Sequence, residues 1–222
     1  MREIILDTET TGLDPASGDR VVEIAAIELF NLMPTGREFH IYINPERDMP
    51  IEAFEVHGLS AEFLAGHPTF APQAADFVEF MAGDRLVAHN AEFDVRFLNA
   101  ELTACGLPVL ASPVQDTLQM ARRKFPGAPA SLDALCRRFA IDLSERSRHG
   151  ALIDCRLLAR VYLELMGGAQ PVLSLISADV RTVDGPVLVR QPRAARPHQA
   201  MAEELAAHQA LLDGLTNPVW RQ

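Results

Sequence analysis

The sequence predicts an α/β fold in which helices cover a mixed β-sheet, followed by an irregular stretch and one more helix. Three observations predict it. Residues 3–9 (EIILDTE) form an almost continuously apolar run, the pattern of a central strand buried on both faces. Strand-like segments come first and then alternate with segments of helical period, the order of a mixed sheet flanked by helices. After Leu165 the periodicity stops: Gly167-Gly168 break the helix, and Pro171, Pro186, Pro192 and Pro197 punctuate residues 169–199.

Taken in order, residues 20–30 (RVVEIAAIELF) and 37–43 (REFHIYI) read as the second and third strands. Thr35-Gly36 supplies the turn between them, so the chain opens as an antiparallel meander. Helices are expected over 71–82, 92–104, 117–124, 131–139 and 150–166, with short strands at 85–89 and 113–116. A last helix is expected over 199–213, where Met201, Leu205, His208, Leu212 and Leu215 share a face. Gly214 and Pro218 stop it, and Trp220 lies just beyond. The chain thus divides into a domain at 1–168, a linker at 169–199 and a terminal segment at 200–222.

The totals narrow the function. A net charge of −10 over 222 residues disfavours a self-sufficient DNA binder, because nonspecific affinity for DNA comes from a basic surface. A nuclease that needs only a strand end, or that a partner holds on DNA, escapes that objection. Cys105, Cys136 and Cys155 are scattered and never form C-x-x-C, which argues for buried thiols rather than disulfides or a zinc knuckle. The N-terminus lacks signal-peptide features, and no apolar run approaches the roughly 20 residues of a membrane helix. A cytoplasmic protein without membrane contact is expected.

Asp7 and Glu9 lie two apart on the first strand, so their carboxylates project from one face. Thr10-Thr11-Gly12 reads as a chain reversal, which places the pair at the strand's end. Alone, a D-x-E also fits a solvated pair; on a buried strand, unpaired carboxylates need a cation. Asp94 sits in the first turn of the helix after residues 85–89, where it suits both the helix dipole and a metal. Asn90 before it fits a helix N-cap, and Phe93 fits the core. His149 and Asp154, five apart, converge only if His149 precedes the helix; alone, His149 reads as a surface histidine. Together, four carboxylates from a strand and two helix starts suit two Mg²⁺ or Mn²⁺ ions about 3.5–4 Å apart. No Cys/His cluster competes for zinc. Histidine, with an ordinary pKa of about 6.5, is the natural general base.

D-x-E-T at 7–10, N-x-x-F-D at 90–94 and H-x-x-x-x-D at 149–154 resemble, in order and spacing across residues 1–166, the three motifs of the DEDDh exonucleases. Within that family, LDTETTGL at 6–13, AFEVHGL at 53–59, SLDALCRRFAID at 131–142 and RHGALIDCRLLARVYLELMGG at 148–168 are most similar to the proofreading exonucleases of bacterial DNA polymerase III. The resemblance implies a ribonuclease H-like fold, metal ligation by Asp7, Glu9, Asp94 and Asp154, and His149 as general base. It implies contacts to the terminal nucleotide from Thr10, Leu13, His57, His89 and Phe93. The expected reaction removes mispaired nucleotides as monophosphates from a single-stranded 3′ end of DNA.

Gln170, Leu173 and Leu175 resemble a sliding-clamp binding peptide. Residues 202–222 resemble the tail that joins such exonucleases to the DNA polymerase III alpha subunit, with Met201, Leu205, Leu212 and Trp220 as its apolar contacts. Partners of this kind would supply the DNA affinity that the charge withholds. A free-standing exonuclease acting on RNA or repair intermediates, and a structural replisome subunit without catalysis, are the competing readings.

Overall fold

Strand β1 (Arg2–Thr10) runs through the middle of a five-stranded sheet. Its neighbours are β2 (Val21–Phe30), antiparallel, and β4 (Arg85–Ala88), parallel; β3 (Met33–Tyr42) and β5 (Val114–Asp116) form the edges, in the order β3-β2-β1-β4-β5. This computed structural model describes residues 1–144, 146, 149–168 and 200–216. The chain divides into two units, Met1–Leu173 and Ser174–Gln222.

The unbroken apolar run of β1 is explained by two cores. Ile5 packs with Ala25, Val87, Cys155, Leu158 and Tyr162 on the face covered by helix α7 (Ala151–Leu165). Ile4 and Leu6 point the other way and pack with Ile24, Phe97, Leu98 and Leu102 beneath helix α4 (Ala91–Ala104). Alternation along β1 therefore assigns odd residues to the α7 side and even residues to the α4 side. The remaining helices of the first unit are α1 (Ile51–His57), α2 (Ala61–Ala65), α3 (Ala74–Met81), α5 (Thr117–Lys124) and α6 (Leu132–Arg138).

The mixed sheet and its flanking helices match the expected fold class, with three local corrections. The reversal between β2 and β3 is at Asn31-Leu32, both at positive φ (51° and 68°), rather than at Thr35-Gly36. Thr35, Gly36 and Arg37 instead face the single residue Glu28 in a bulge, where Gly36 takes φ +87°. Glu28 holds the bulge by accepting from Thr35 Oγ1 (2.8 Å) and Arg37 Nη1 (3.0 Å). Second, α1 and α2, of seven and five residues, are too short to show a helical period. Third, the helix expected from residue 71 opens with a 3₁₀ turn at Ala71–Gln73.

In the second unit, helix α8 (Ala202–Gly214) occupies the expected place; Met201 and Leu205 are exposed and Leu212 is buried. Gln170, Leu173, Leu175 and Trp220 lie outside the described residues. No helix among the described residues is long and apolar enough to cross a membrane.

One polar contact ties α7 to β1 inside the core. The hydroxyl of the fully buried Tyr162 donates to Glu3 Oε1 at 2.9 Å, with Arg85 Nη1 at 3.4 Å from the same oxygen. Burial and then the Glu3 carboxylate push the Tyr162 hydroxyl up to about 12. Removing that donor leaves a buried carboxylate short of a partner. Tyr162→Phe should lower the unfolding free energy by about 1.5–3 kcal/mol in urea with an unchanged m-value; an unaltered midpoint would deny the clamp.

Candidate active site

The site is built where β1 ends. Asp7 and Glu9, odd residues, project to the α7 side beyond Ile5, and the pairing with β2 slips between Glu9 and Thr10. The chain then reverses, with Thr11 N donating to Arg20 O at 2.9 Å. A Cβ at Gly12 would lie 2.3 Å from Asp19 Oδ2, so a larger residue here has to push the Asp19 side chain aside.

The two helices deliver their carboxylates from opposite faces of the sheet. Asp94, in the first turn of α4, is buried and accepts from Thr8 Oγ1 at 2.8 Å, so the even residue of the D-T-E run anchors the acid from the α4 side. Asp154 lies in the first turn of α7. Each carboxylate thus sits at a helix N-terminus, whose partial positive charge favours an anion. Asn90, expected as an N-cap, makes no side-chain cap bond; it takes a left-handed conformation (φ 66°, ψ 49°) and its N–H donates to Asp116 Oδ1 at 3.1 Å. Its contribution is a backbone turn between β4 and α4.

His149 does precede the helix, by two residues, and its N–H donates to Val56 O of α1 at 3.2 Å. In that position it converges with the strand and the helix: one ligand atom each from Glu9, His149 and Asp154 lies within 4.8 Å of the others. Glu23, opposite Glu9 across the β1–β2 pairing, accepts from Ala151 N at 3.1 Å and contacts His40 Nε2 at 2.7 Å, fixing the start of α7 beside the site.

One cation at the site carries no motif and is not identified by sequence reasoning. Arg146 donates from Nε to Asp154 Oδ1 and from Nη2 to Asp154 Oδ2, both at 2.6 Å. Nη1 donates to Asp133, and Nη2 lies 2.8 Å from His149 Nδ1, which can only be the acceptor because arginine has no lone pair to offer.

Crowded acids alter the site's electrostatics. Burial, then the charges of Asp94, Glu9 and Asp154, holds the Asp7 carboxyl well above the usual range. Burial, followed by Glu23 and Asp154, raises Glu9 to about 8. Asp94 is raised to about 7 by burial, against the lowering effect of the Thr8 bond. All-oxygen donors with a single imidazole suit hard divalent cations, and unmet negative charge at this density fits such ions.

Two cavities flank the acids. One, of about 600 Å³, is lined by Asp7, His89, Arg122, Arg146, His149 and Asp154 among others. The second, of about 530 Å³ and more apolar, gathers Thr10, Leu13, His57 and Phe93 with Glu9 and Val56. The expected substrate contacts therefore separate, with His89 on the first cavity and the other four around the second. Leu13 stands 78% exposed at its rim, as a side chain available to a ligand rather than to the core. His57 Nδ1 accepts from Leu59 N at 3.0 Å, while its buried Nε2 has no hydrogen-bond partner, an unmet group that a ligand could satisfy. Burial lowers both His57 and His89 below the ordinary imidazole range, so each is a neutral donor and acceptor. His89 Nδ1 is held by Thr117 Oγ1 at 2.9 Å.

The raised acids make a pH prediction. Without divalent ions Glu9 and Asp94 bind protons more tightly in the folded chain than in the unfolded one, where carboxylates titrate near about 4. The resulting stabilisation is complete below about pH 4, declines as pH rises, and is gone once pH has passed through about 7 and 8. Glu9→Gln cannot ionise, so in EDTA its stability should gain on wild type from about pH 5 to about pH 8.5. A pH-independent gap in chemical denaturation would mean that Glu9 titrates normally.

Comparison with known proteins gives the family. Residues 4–162 match the family model RNase_T, described as Exonuclease. The chain is 56% identical over 181 residues to the DNA polymerase III subunit epsilon of Rickettsia conorii, covering 79% of this chain and 78% of that protein. It is 41% identical to the subunit of that name from Escherichia coli, covering 96% and 92%. Among solved structures, an exonuclease X in complex with 5′ overhanging duplex DNA superposes with a TM-score of 0.59 at 26% identity, over 74% of this chain and 90% of that one. An exonuclease I superposes with a TM-score of 0.63 at 17% identity over 74% and 41%, a likeness of fold. The chain belongs to the exonuclease family and, within it, to the epsilon subunits of DNA polymerase III, 3′→5′ exonucleases that proofread.

Proposed function

We propose that this chain removes the terminal nucleotide from a single-stranded 3′ end of DNA as a monophosphate, using Asp7, Glu9, Asp94 and Asp154 to hold two Mg²⁺ or Mn²⁺ ions and His149 as general base. The observation that carries the reading is the convergence of Glu9, His149 and Asp154 from a strand end, a loop and a helix start. When bound, divalent cations lower the pKa of an attacking water and offset the charge that builds on the phosphate. His149, half-exposed on a loop rather than locked in the core, can accept the water's proton and pass it to solvent. Asp94 contributes from the far face of the sheet, held by Thr8.

The second cavity suits the terminal nucleotide. Leu13 and Phe93 offer apolar surface to a base, and Thr10 and His57 offer polar groups to its sugar. A duplex end must unpair to reach such a site, and a mismatched end unpairs at lower cost, which is the source of selectivity. His89, on the first cavity, suits the phosphate.

Residues 1–168 then act as the nuclease, 169–199 as a linker carrying the clamp-binding Gln170, Leu173 and Leu175, and 200–222 as the tail for the alpha subunit. The exposure of Leu205 on α8 and of Met201 just before it, with the net charge of −10, favours a subunit brought to DNA by its partners over a free-standing nuclease.

The purified chain should release monophosphates from a 3′-mismatched primer with Mg²⁺ or Mn²⁺; no hydrolysis would overturn the reading. Asp7→Ala and Asp154→Ala should abolish hydrolysis while leaving association with the alpha subunit intact. His149→Ala should slow single-turnover hydrolysis by about 10²–10⁴-fold. An unchanged rate would return His149 to the role of a loop histidine.

A further inference from the structure

We infer that Arg146 is a stand-in cation: its guanidinium occupies Asp154 in the metal-free site and yields that carboxylate to a divalent ion, keeping Asp133 as its anchor. The inference rests on Asp154 being a metal ligand, as proposed above. Four observations carry it. Both Asp154 oxygens are engaged at 2.6 Å in a two-pronged pair, the strongest geometry a guanidinium has for a carboxylate. The Arg146 side chain is only 8% exposed, so this is a buried charge placed among acids and not a surface ion pair. Its remaining Nη1 donates to Asp133, at the start of α6 and 41% exposed, which supplies a second carboxylate away from the four acids. Arg146 also donates to His149 Nδ1, so one side chain covers the acid and the imidazole that the reaction needs free.

An ion approaching Asp154 meets a positive charge already bonded to both oxygens. Metal entry and the Arg146–Asp154 pair therefore exclude one another, and the energy of the pair is subtracted from metal affinity. In return the metal-free chain avoids an uncompensated carboxylate beneath α7. Arg146 is thus a positioning residue, acting on metal loading through Asp154.

The test reads Mn²⁺ affinity from the paramagnetic resonance of the free ion, and the melting temperature in EDTA, on the full chain. Arg146→Gln should bind Mn²⁺ about tenfold more tightly than wild type, the equivalent of one charged hydrogen bond, and should melt lower in EDTA. Arg122→Gln is the charge control: Arg122 lines the same cavity, so it removes the same unit of charge without touching Asp154. Its gain should stay under about threefold, as for an exposed charge. Should Arg146→Gln fail to fold, Arg146→Lys decides, since an ammonium lacks the planar fork that engages both oxygens at once; it should bind Mn²⁺ more tightly than wild type, by less than about tenfold. Unchanged or weaker Mn²⁺ binding in the Arg146 variants, or an equal gain in Arg122→Gln, overturns the inference. Failure of the wild type to bind Mn²⁺ would instead overturn the metal site itself.

Discussion

Repulsion among carboxylates at the end of β1 is the constraint on which the rest of this structure depends. Asp7, Glu9, Asp94 and Asp154 converge there, with Glu23 one strand away; burial raises Asp7, Glu9 and Asp94 above the ordinary carboxylate range, and for Asp7 and Glu9 the neighbouring acids add to it. A fold can keep such a cluster by letting part of it hold protons or by surrounding it with compensating positive charge. The first turns of α4 and α7 supply part of it through their N-termini, and Arg146 supplies a full unit. The cores above and below β1 then hold the acids at separations they would not choose.

Topology makes the convergence possible. A central strand covered on both faces lets even residues answer to α4 and odd residues to α7, so Thr8 steadies Asp94 while Asp7 and Glu9 face Asp154. Because the helices arrive from opposite faces, neither can shift without dragging its acid away from the pair on the strand. Tyr162 bonded to Glu3 and Ala151 N bonded to Glu23 fix α7 at two depths. The short helix α1 adds a third constraint by accepting from His149 N at Val56 and by placing His57 on the neighbouring cavity. One small helix thus holds the backbone of His149 and also lines the second cavity.

How much of this was legible in the sequence follows from the range of each interaction. The apolar run of β1 and the strand-then-helix order were legible because they are local patterns, and the four acids lie on the strand and the two helix starts expected of them. The reversal at Asn31-Leu32 was not, since Thr35-Gly36 is the stronger turn signal; its glycine serves a bulge that only the pairing with β2 reveals. Helices α1 and α2 are too short to carry a period. Asn90 has the composition of an N-cap but the backbone of a left-handed turn, a choice made by Asp116 from a strand 26 residues on. Arg146 is one arginine among many until the fold sets it against Asp154.

A count of charges connects the metal-free and loaded sites. Burial holds Asp7 well above the usual carboxylate range and raises Glu9 to about 8 and Asp94 to about 7, so these acids bind protons more readily than isolated carboxylates do. The guanidinium of Arg146 adds one positive charge against Asp154. Two divalent cations would bring four positive charges, matching four ionised carboxylates with no proton and no arginine needed. On the two-ion reading proposed above, loading the site would release protons and displace Arg146 for one reason, since each is a weaker substitute for the same ions. Arg146 and the raised carboxyl groups are, on this view, the two means by which the folded chain tolerates its own active site before it is filled.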